Sequence, residues 1–164
     1  MNNKEVHLSE AIEIIEEVLS SGGEFRMVPK GTSMLPLIVQ GKDSVVLKRK
    51  PVSEIQKHDI IFYRRDNGQF ILHRVLKVCD DGTYILCGDN QTYLEKGVRP
   101  DQIIGYVSQI NKKEKRLSPT SVSYRIYMLI WMWMPYRKTV LFIKRGFRFL
   151  KRKLNKKIKK SCGT

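Results

Sequence analysis

Apolar residues along this chain recur in three successive rhythms. Between Ser9 and Ser20, Ala11, Ile12, Ile15, Val18 and Leu19 fall on one helical face, and Glu10, Glu13, Glu16 and Glu17 take the remainder. The spacing predicts an amphipathic helix, capped by Ser9 and stopped by Gly22-Gly23, that packs on protein and does not span a bilayer. From Phe25 the texture changes to short β-type runs: Phe25–Val28, Ser44–Lys48, Asp59–Tyr63, Phe70–Val78, Tyr84–Leu86 and Ile103–Ile110. Gly, Asp, Asn and Pro separate them, with no internal repeat and no low-complexity linker. The expectation is a mainly β domain over residues 24–117, preceded by the helix of residues 1–23.

The third rhythm belongs to a tail over residues 118–164. Ile126–Met134 is a run of nine apolar residues closed by Pro135, Tyr136, Arg137 and Lys138, too short to cross a bilayer. After it, Val140, Ile143, Phe147, Leu150, Leu154 and Ile158 recur at steps of three and four, with Lys and Arg filling most of the gaps. That pattern predicts helix lying in an anionic membrane surface, apolar face down, with long basic side chains reaching the headgroups. A basic helix on nucleic acid is the competing reading. The Tyr, Trp and Met cluster just before it suits a membrane interface better, so the expected partner is lipid and not nucleic acid. A span over Ile126–Ile143 ranks second, because Arg125, Arg137 and Lys138 make it costly.

Charge sharpens this division. The net charge is +15, yet Met1–Asn111 carries fourteen Lys and Arg against fifteen Asp and Glu. From Lys112 onward there are seventeen bases and one acid, Glu114. The basicity thus belongs to the tail, and the first two-thirds is electrically balanced. Cys79, Cys87 and Cys162 are odd in number without C-x-x-C spacing, and with three scattered histidines they suggest no metal site. Met1–Gly23 has no uninterrupted apolar run of the kind a signal peptide needs.

Three segments could carry chemistry: Gly31-Thr32-Ser33-Met34-Leu35-Pro36, Leu72-His73-Arg74-Val75 and Gly88-Asp89-Asn90. The first reads as a tight turn between strands, presenting a serine hydroxyl beside backbone N–H groups outside any ladder. A nucleophile and its oxyanion donors must meet at one carbonyl, and such a turn allows it. Taken alone, Ser33 is an ordinary turn serine. Asp81-Gly82 is the strongest hairpin signal in the chain. With those residues at the turn's centre, Asp80 pairs with Thr83, and an unbulged register sets Leu72 against Gln91, His73 against Asn90 and Arg74 against Asp89. His73 then lies beside the Gly88-Asp89-Asn90 corner, an imidazole next to an acid, which is the base and orienter that a serine nucleophile requires. The same register puts Cys79 and Cys87 on opposite faces, which excludes a disulfide between them.

Taken together, these segments resemble type I signal peptidases. Gly31–Pro36 looks like that family's serine box, in which a Ser-Met pair precedes a proline. Lys57-His58-Asp59-Ile60-Ile61-Phe62 is similar to its Gly-Asp-Ile-Val-Val box, with His58 where glycine is usual. Leu72–Val75 resembles the general-base box and Gly88–Asn90 the Gly-Asp-Asn box. The four follow in order between Met27 and Val107. Histidine before Arg-Val matches the branch found in endoplasmic-reticulum, archaeal and some Gram-positive members, where most bacterial members have lysine.

The resemblance implies the signal-peptidase and repressor-peptidase fold and peptide-bond hydrolysis through an acyl-enzyme, without metal or organic cofactor. Ser33 would attack, His73 would take its proton, and Asp89 would orient the imidazole. Glu95, six residues after Asp89, is the second candidate for that acid. Gly31 lacks the hydroxyl that many members place two residues before the nucleophile, so Thr32 or backbone N–H groups such as that of Ser33 would bind the oxyanion. The implied substrate is a precursor peptide or protein with small residues near the cut. Without an N-terminal anchor, the expected location is the cell membrane, held peripherally or monotopically by the tail, with the domain on the cytoplasmic face trimming a leader. The rival from another class is a catalytically inactive membrane-associated binding protein on the same fold. A self-cleaving repressor is a poorer fit, since the residues before the β domain are too few for a helix-turn-helix.

Overall fold

The computed structural model describes residues 8–112, 116–118, 121–131, 139–140 and 142–143. Helix α1 spans Leu8–Ser20, so Ser9 lies inside it and not at its cap. Ile12, Ile15 and Leu19 of the expected stripe are buried, while Ile14 is exposed. The helix ends in a Schellman motif: Gly22 has φ +82°, its N–H bonds the Leu19 carbonyl, and the Gly23 N–H bonds that of Val18. Leu19 reaches the sheet at Gly105, where an added Cβ would stand 3.0 Å from Leu19 Cδ1 and 2.9 Å from the Lys48 carbonyl oxygen.

Eight strands form one antiparallel sheet: β1 Phe25–Met27, β2 Ser44–Lys48, β3 Ile60–Arg64, β4 Phe70–Val78, β5 Tyr84–Cys87, β6 Glu95–Val98, β7 Ile103–Asn111 and β8 Arg116–Leu117. The order is β1-β2-β7-β3-β4-β5-β6, with β8 beside β7. A mainly β fold was expected, and the six apolar runs became strands with ends moved by a residue at most. β6 and β8 are additions. Glu-Lys-Gly-Val has one apolar residue and no alternation to read, and β8 is only two residues long. At the edge of the sheet the charged side chains of β6 are an advantage, because they discourage pairing with another chain. Ile60, Ile61, Phe62 and Tyr63 are all buried, so β3 is covered on both faces. Ile55, Ile61, Tyr63, Val75, Tyr84, Leu86 and Val98 form one core cluster.

The β4–β5 hairpin departs from the expected register. The Gly82 N–H bonds the Cys79 carbonyl and the Cys79 N–H bonds the Thr83 carbonyl. Asp80 and Asp81 therefore form the turn, and Gly82, at φ +78°, is the left-handed bulge residue that follows it. This moves the pairing by one, to Val78↔Tyr84, and an irregularity between Val75 and Lys77 moves it again, to Arg74↔Cys87. Arg74 thus faces Cys87 across the ladder and not Asp89. Cys79 and Cys87 both keep reduced thiols.

Helix α2 spans Val122–Trp131. The chain divides into two compact units, Met1–Arg125 and Ile126–Thr164, a boundary later than the end of the β domain expected at Leu117. Tyr124 accounts for the shift: it is buried, and its hydroxyl receives a hydrogen bond from Arg74 in the sheet. On α2, Ile126, Leu129 and Ile130 are exposed. No described helix is long and apolar enough to cross a membrane. The amphipathic pattern expected over Val140–Ile158 lies for the most part outside the described residues.

Candidate active site

Ser33 sits in the loop between β1 and β2. Met34, Leu37 and Ile38 anchor this loop in the core, and Gly31, at φ +94°, gives its N–H to Gln40 Oε1 at 2.8 Å. The segment after β5 holds the loop from the other side. The Asn90 N–H bonds the Ser33 carbonyl at 2.7 Å, and Asn90 Nδ2 bonds the Thr32 carbonyl at 3.0 Å. Among the described hydrogen bonds, those to Thr32 and Ser33 fall on their carbonyls and not on their N–H groups.

Gly88 makes the room that Ser33 occupies. A Cβ added at Gly88 would stand 2.7 Å from the Ser33 carbonyl oxygen and 3.0 Å from Ser33 Cβ. Ser33 therefore occupies the space where a side chain at position 88 would be. Carrying the β4–β5 register one residue beyond Arg74↔Cys87 sets His73 opposite Gly88. Directly opposed residues of an antiparallel pair project to the same face with Cβ atoms about 4.5–5.5 Å apart. Ser33 thus packs against Gly88, the residue that this register brings beside His73.

His73 is buried on β4. Its Nδ1 lies 3.3 Å from the Tyr63 hydroxyl and 3.7 Å from Glu95 Oε2. Tyr63 comes from β3, paired to β4, and Glu95 from the start of β6, where it stands opposite Leu86. Arg65 grips the carboxylate with Nε on Oε1 and Nη2 on Oε2, both at 2.6 Å. Burial opposes ionisation of Glu95, but hydrogen bonds from Arg65 and Tyr63 and the Arg65 charge outweigh it and hold the carboxyl below its ordinary range. Burial first, then the Glu95 contact, raises the Tyr63 hydroxyl well above its ordinary value.

Asp89, the first candidate to orient His73, is engaged elsewhere. Its oxygens accept from Arg74 Nε at 2.8 Å and Nη2 at 2.6 Å, and both side chains are fully buried. Neighbouring residues on a strand project to opposite faces, so a carboxylate forked on Arg74 lies across the sheet from His73. Arg74 Nη1 also donates to the His58 carbonyl at 2.9 Å and to the Tyr124 hydroxyl. His58, in a glycine's place by resemblance, has φ +83°, the left-handed region where glycine is unstrained. The acid beside His73 is Glu95, the second candidate. Sequence reasoning missed Tyr63 and Arg65 altogether: an aromatic strand residue reads as core, and an arginine after a strand as solvated.

Among the described residues no three His, Cys, Asp or Glu side chains are grouped to hold a metal. No family model, curated protein or solved structure matches this chain.

Proposed function

We propose that the chain is a serine endopeptidase of the type I signal peptidase kind, in which Ser33 is the nucleophile and His73 its base. One observation carries the reading: Ser33 occupies the side-chain space of Gly88, just past the strand that pairs with β4, where His73 is buried with its Nδ1 3.7 Å from the Glu95 carboxylate. In the acyl-transfer step Ser33 Oγ bonds to the scissile carbonyl carbon and its proton passes to His73 Nε2. The imidazolium then gives that proton to the leaving amine as the C–N bond breaks. Glu95, within the reach of His73 Nδ1, favours the imidazolium during this transfer, the role first looked for in Asp89. The N–H groups of Thr32 and Ser33 in this turn are the proposed oxyanion donors.

The proposed substrate is an extended leader or signal segment of a precursor peptide or protein, and the proposed partner of the basic tail is an anionic membrane surface. The exposed apolar residues of α2 and the excess of bases from Lys112 onward support the second of these. Labelling of the full chain by a serine-reactive fluorophosphonate tests the Ser33–His73 reading. Ser33→Ala and His73→Ala should each lose labelling by at least about a thousandfold while keeping the wild-type melting curve, because the pair acts as a unit. Equal labelling of Ser33→Ala would end the peptidase reading and leave a binding protein on this fold.

A further inference from the structure

The Tyr63 hydroxyl has one proton and two neighbours that can accept it. One is His73 Nδ1 at 3.3 Å, and the other is the Glu95 carboxylate. Arg65 is always charged and grips both oxygens of Glu95, which makes Glu95 an anion. A hydrogen bond to an ionised acceptor is about twice as strong as one between neutral groups, so the hydroxyl proton goes to Glu95. The Tyr63 oxygen then has only lone pairs to offer Nδ1. For the 3.3 Å contact to be a hydrogen bond, Nδ1 must carry the ring proton and donate it. In a neutral imidazole that leaves Nε2, on the other side of the ring, as the acceptor. The direct Nδ1–Glu95 separation of 3.7 Å is too long to impose the same choice alone.

We propose that Tyr63 is a positioning residue, which transmits the charge of Glu95 to His73 and fixes the imidazole as the Nδ1–H tautomer with Nε2 presented to Ser33. This rests on the Ser33–His73 reading above. Tyr63 touches no reacting atom. When Nε2 takes the serine proton, Nδ1 keeps its own and Tyr63 keeps its bond to Glu95, so the positive charge on the ring is met through the hydroxyl. The described groups around the ring include Tyr63 from β3, Arg65 just beyond it and Glu95 from β6, with Arg74 on the opposite face of β4.

The test is nitrogen-15 NMR of the histidine side chains in the full chain, which separates the two neutral tautomers by the shifts of Nδ1 and Nε2. Loss of individual signals in His73→Gln and His58→Gln variants supplies the assignment. His73 in the wild type should be the Nδ1–H form. Tyr63→Phe, which removes only the hydroxyl, should give a mixture or the Nε2–H form and slow fluorophosphonate labelling by about tenfold. Glu95→Gln should shift the tautomer in the same direction, and it decides the matter with the wild type if Tyr63→Phe does not fold. A wild-type His73 in the Nε2–H form, or a tautomer unchanged in both variants, would overturn the proposal. If the tautomers behave as stated and the wild type is not labelled at Ser33, the positioning geometry stands and the peptidase reading alone fails.

Discussion

His73 and Arg74 are neighbours on β4, yet each belongs to a different kind of charge cluster. On the Arg74 face, guanidinium and Asp89 carboxylate are both fully buried, with the His58 carbonyl and the Tyr124 hydroxyl taking further donors. On the His73 face the burial is graded: the side chains of His73, Glu95 and Arg65 are 4%, 16% and 30% exposed. Both faces use the same two-pronged arginine–carboxylate fork. In the closed cluster the fork holds strand, corner and helix together. In the open one the forked acid also bears on an imidazole, and the same bond becomes a means of setting proton affinity. Chemistry of the pair alone therefore does not separate structure from function; what touches it does.

The sharpest way to break this contrast is to remove each acid in turn. Asp89→Ala leaves Arg74 as an unpaired buried charge, which should cost about 3–5 kcal/mol in urea unfolding. Glu95→Ala releases a partly exposed arginine and the acceptor of the Tyr63 hydroxyl, and should cost less, about 1–2 kcal/mol, while slowing Ser33 labelling. If Asp89→Ala folds as well as the wild type, or if Glu95→Ala labels normally, the division between the two faces is wrong.

A smaller effect is expected with pH. The Glu95 carboxyl is lower in the folded protein than its ordinary value. A depressed acid contributes stability that is complete above its unfolded pKa, about 4.3, and is lost as pH falls through the folded value. Removing its partner in Arg65→Gln should therefore lower stability by a constant amount above about pH 5, and the difference should shrink in more acid solution. Urea melts of both proteins from pH 3 to 7 measure it. A difference that grows toward low pH would show that Arg65 does not hold Glu95 ionised.

The smallest effect concerns His58 on the closed face. Its backbone carbonyl serves Arg74, and the fold holds it at a positive φ that its Cβ makes costly. His58→Gly should raise stability by up to about 1 kcal/mol, relief of the strained backbone exceeding the extra flexibility of the unfolded chain. A melting temperature lowered by this change would mean that the imidazole itself helps close the cluster.

The element types were legible because they rest on local pattern. Alternation and apolar runs located six strands, helical spacing and Gly22-Gly23 located α1, and the motif order singled out Ser33, His73, Asp89 and Glu95. The identity of the acid beside His73 was not legible. It depended on two single-residue irregularities in one hairpin, the bulge at Gly82 and the shift between Val75 and Lys77, and on β6, whose sequence carries no periodic signal. Each irregularity is worth little energy locally, yet each slides every pairing beyond it.

What the residues determine by themselves is therefore the set of groups available and the strands that carry them, because backbone preference and burial act over a few positions. Which groups meet is decided by the tertiary structure. Ser33 packs into the space that Gly88 leaves, Asp89 is claimed by Arg74, and Glu95 and Tyr63 are both brought to His73. These contacts join positions 10 to 55 residues apart, and their selection follows from buried charges needing partners on their own face of the sheet.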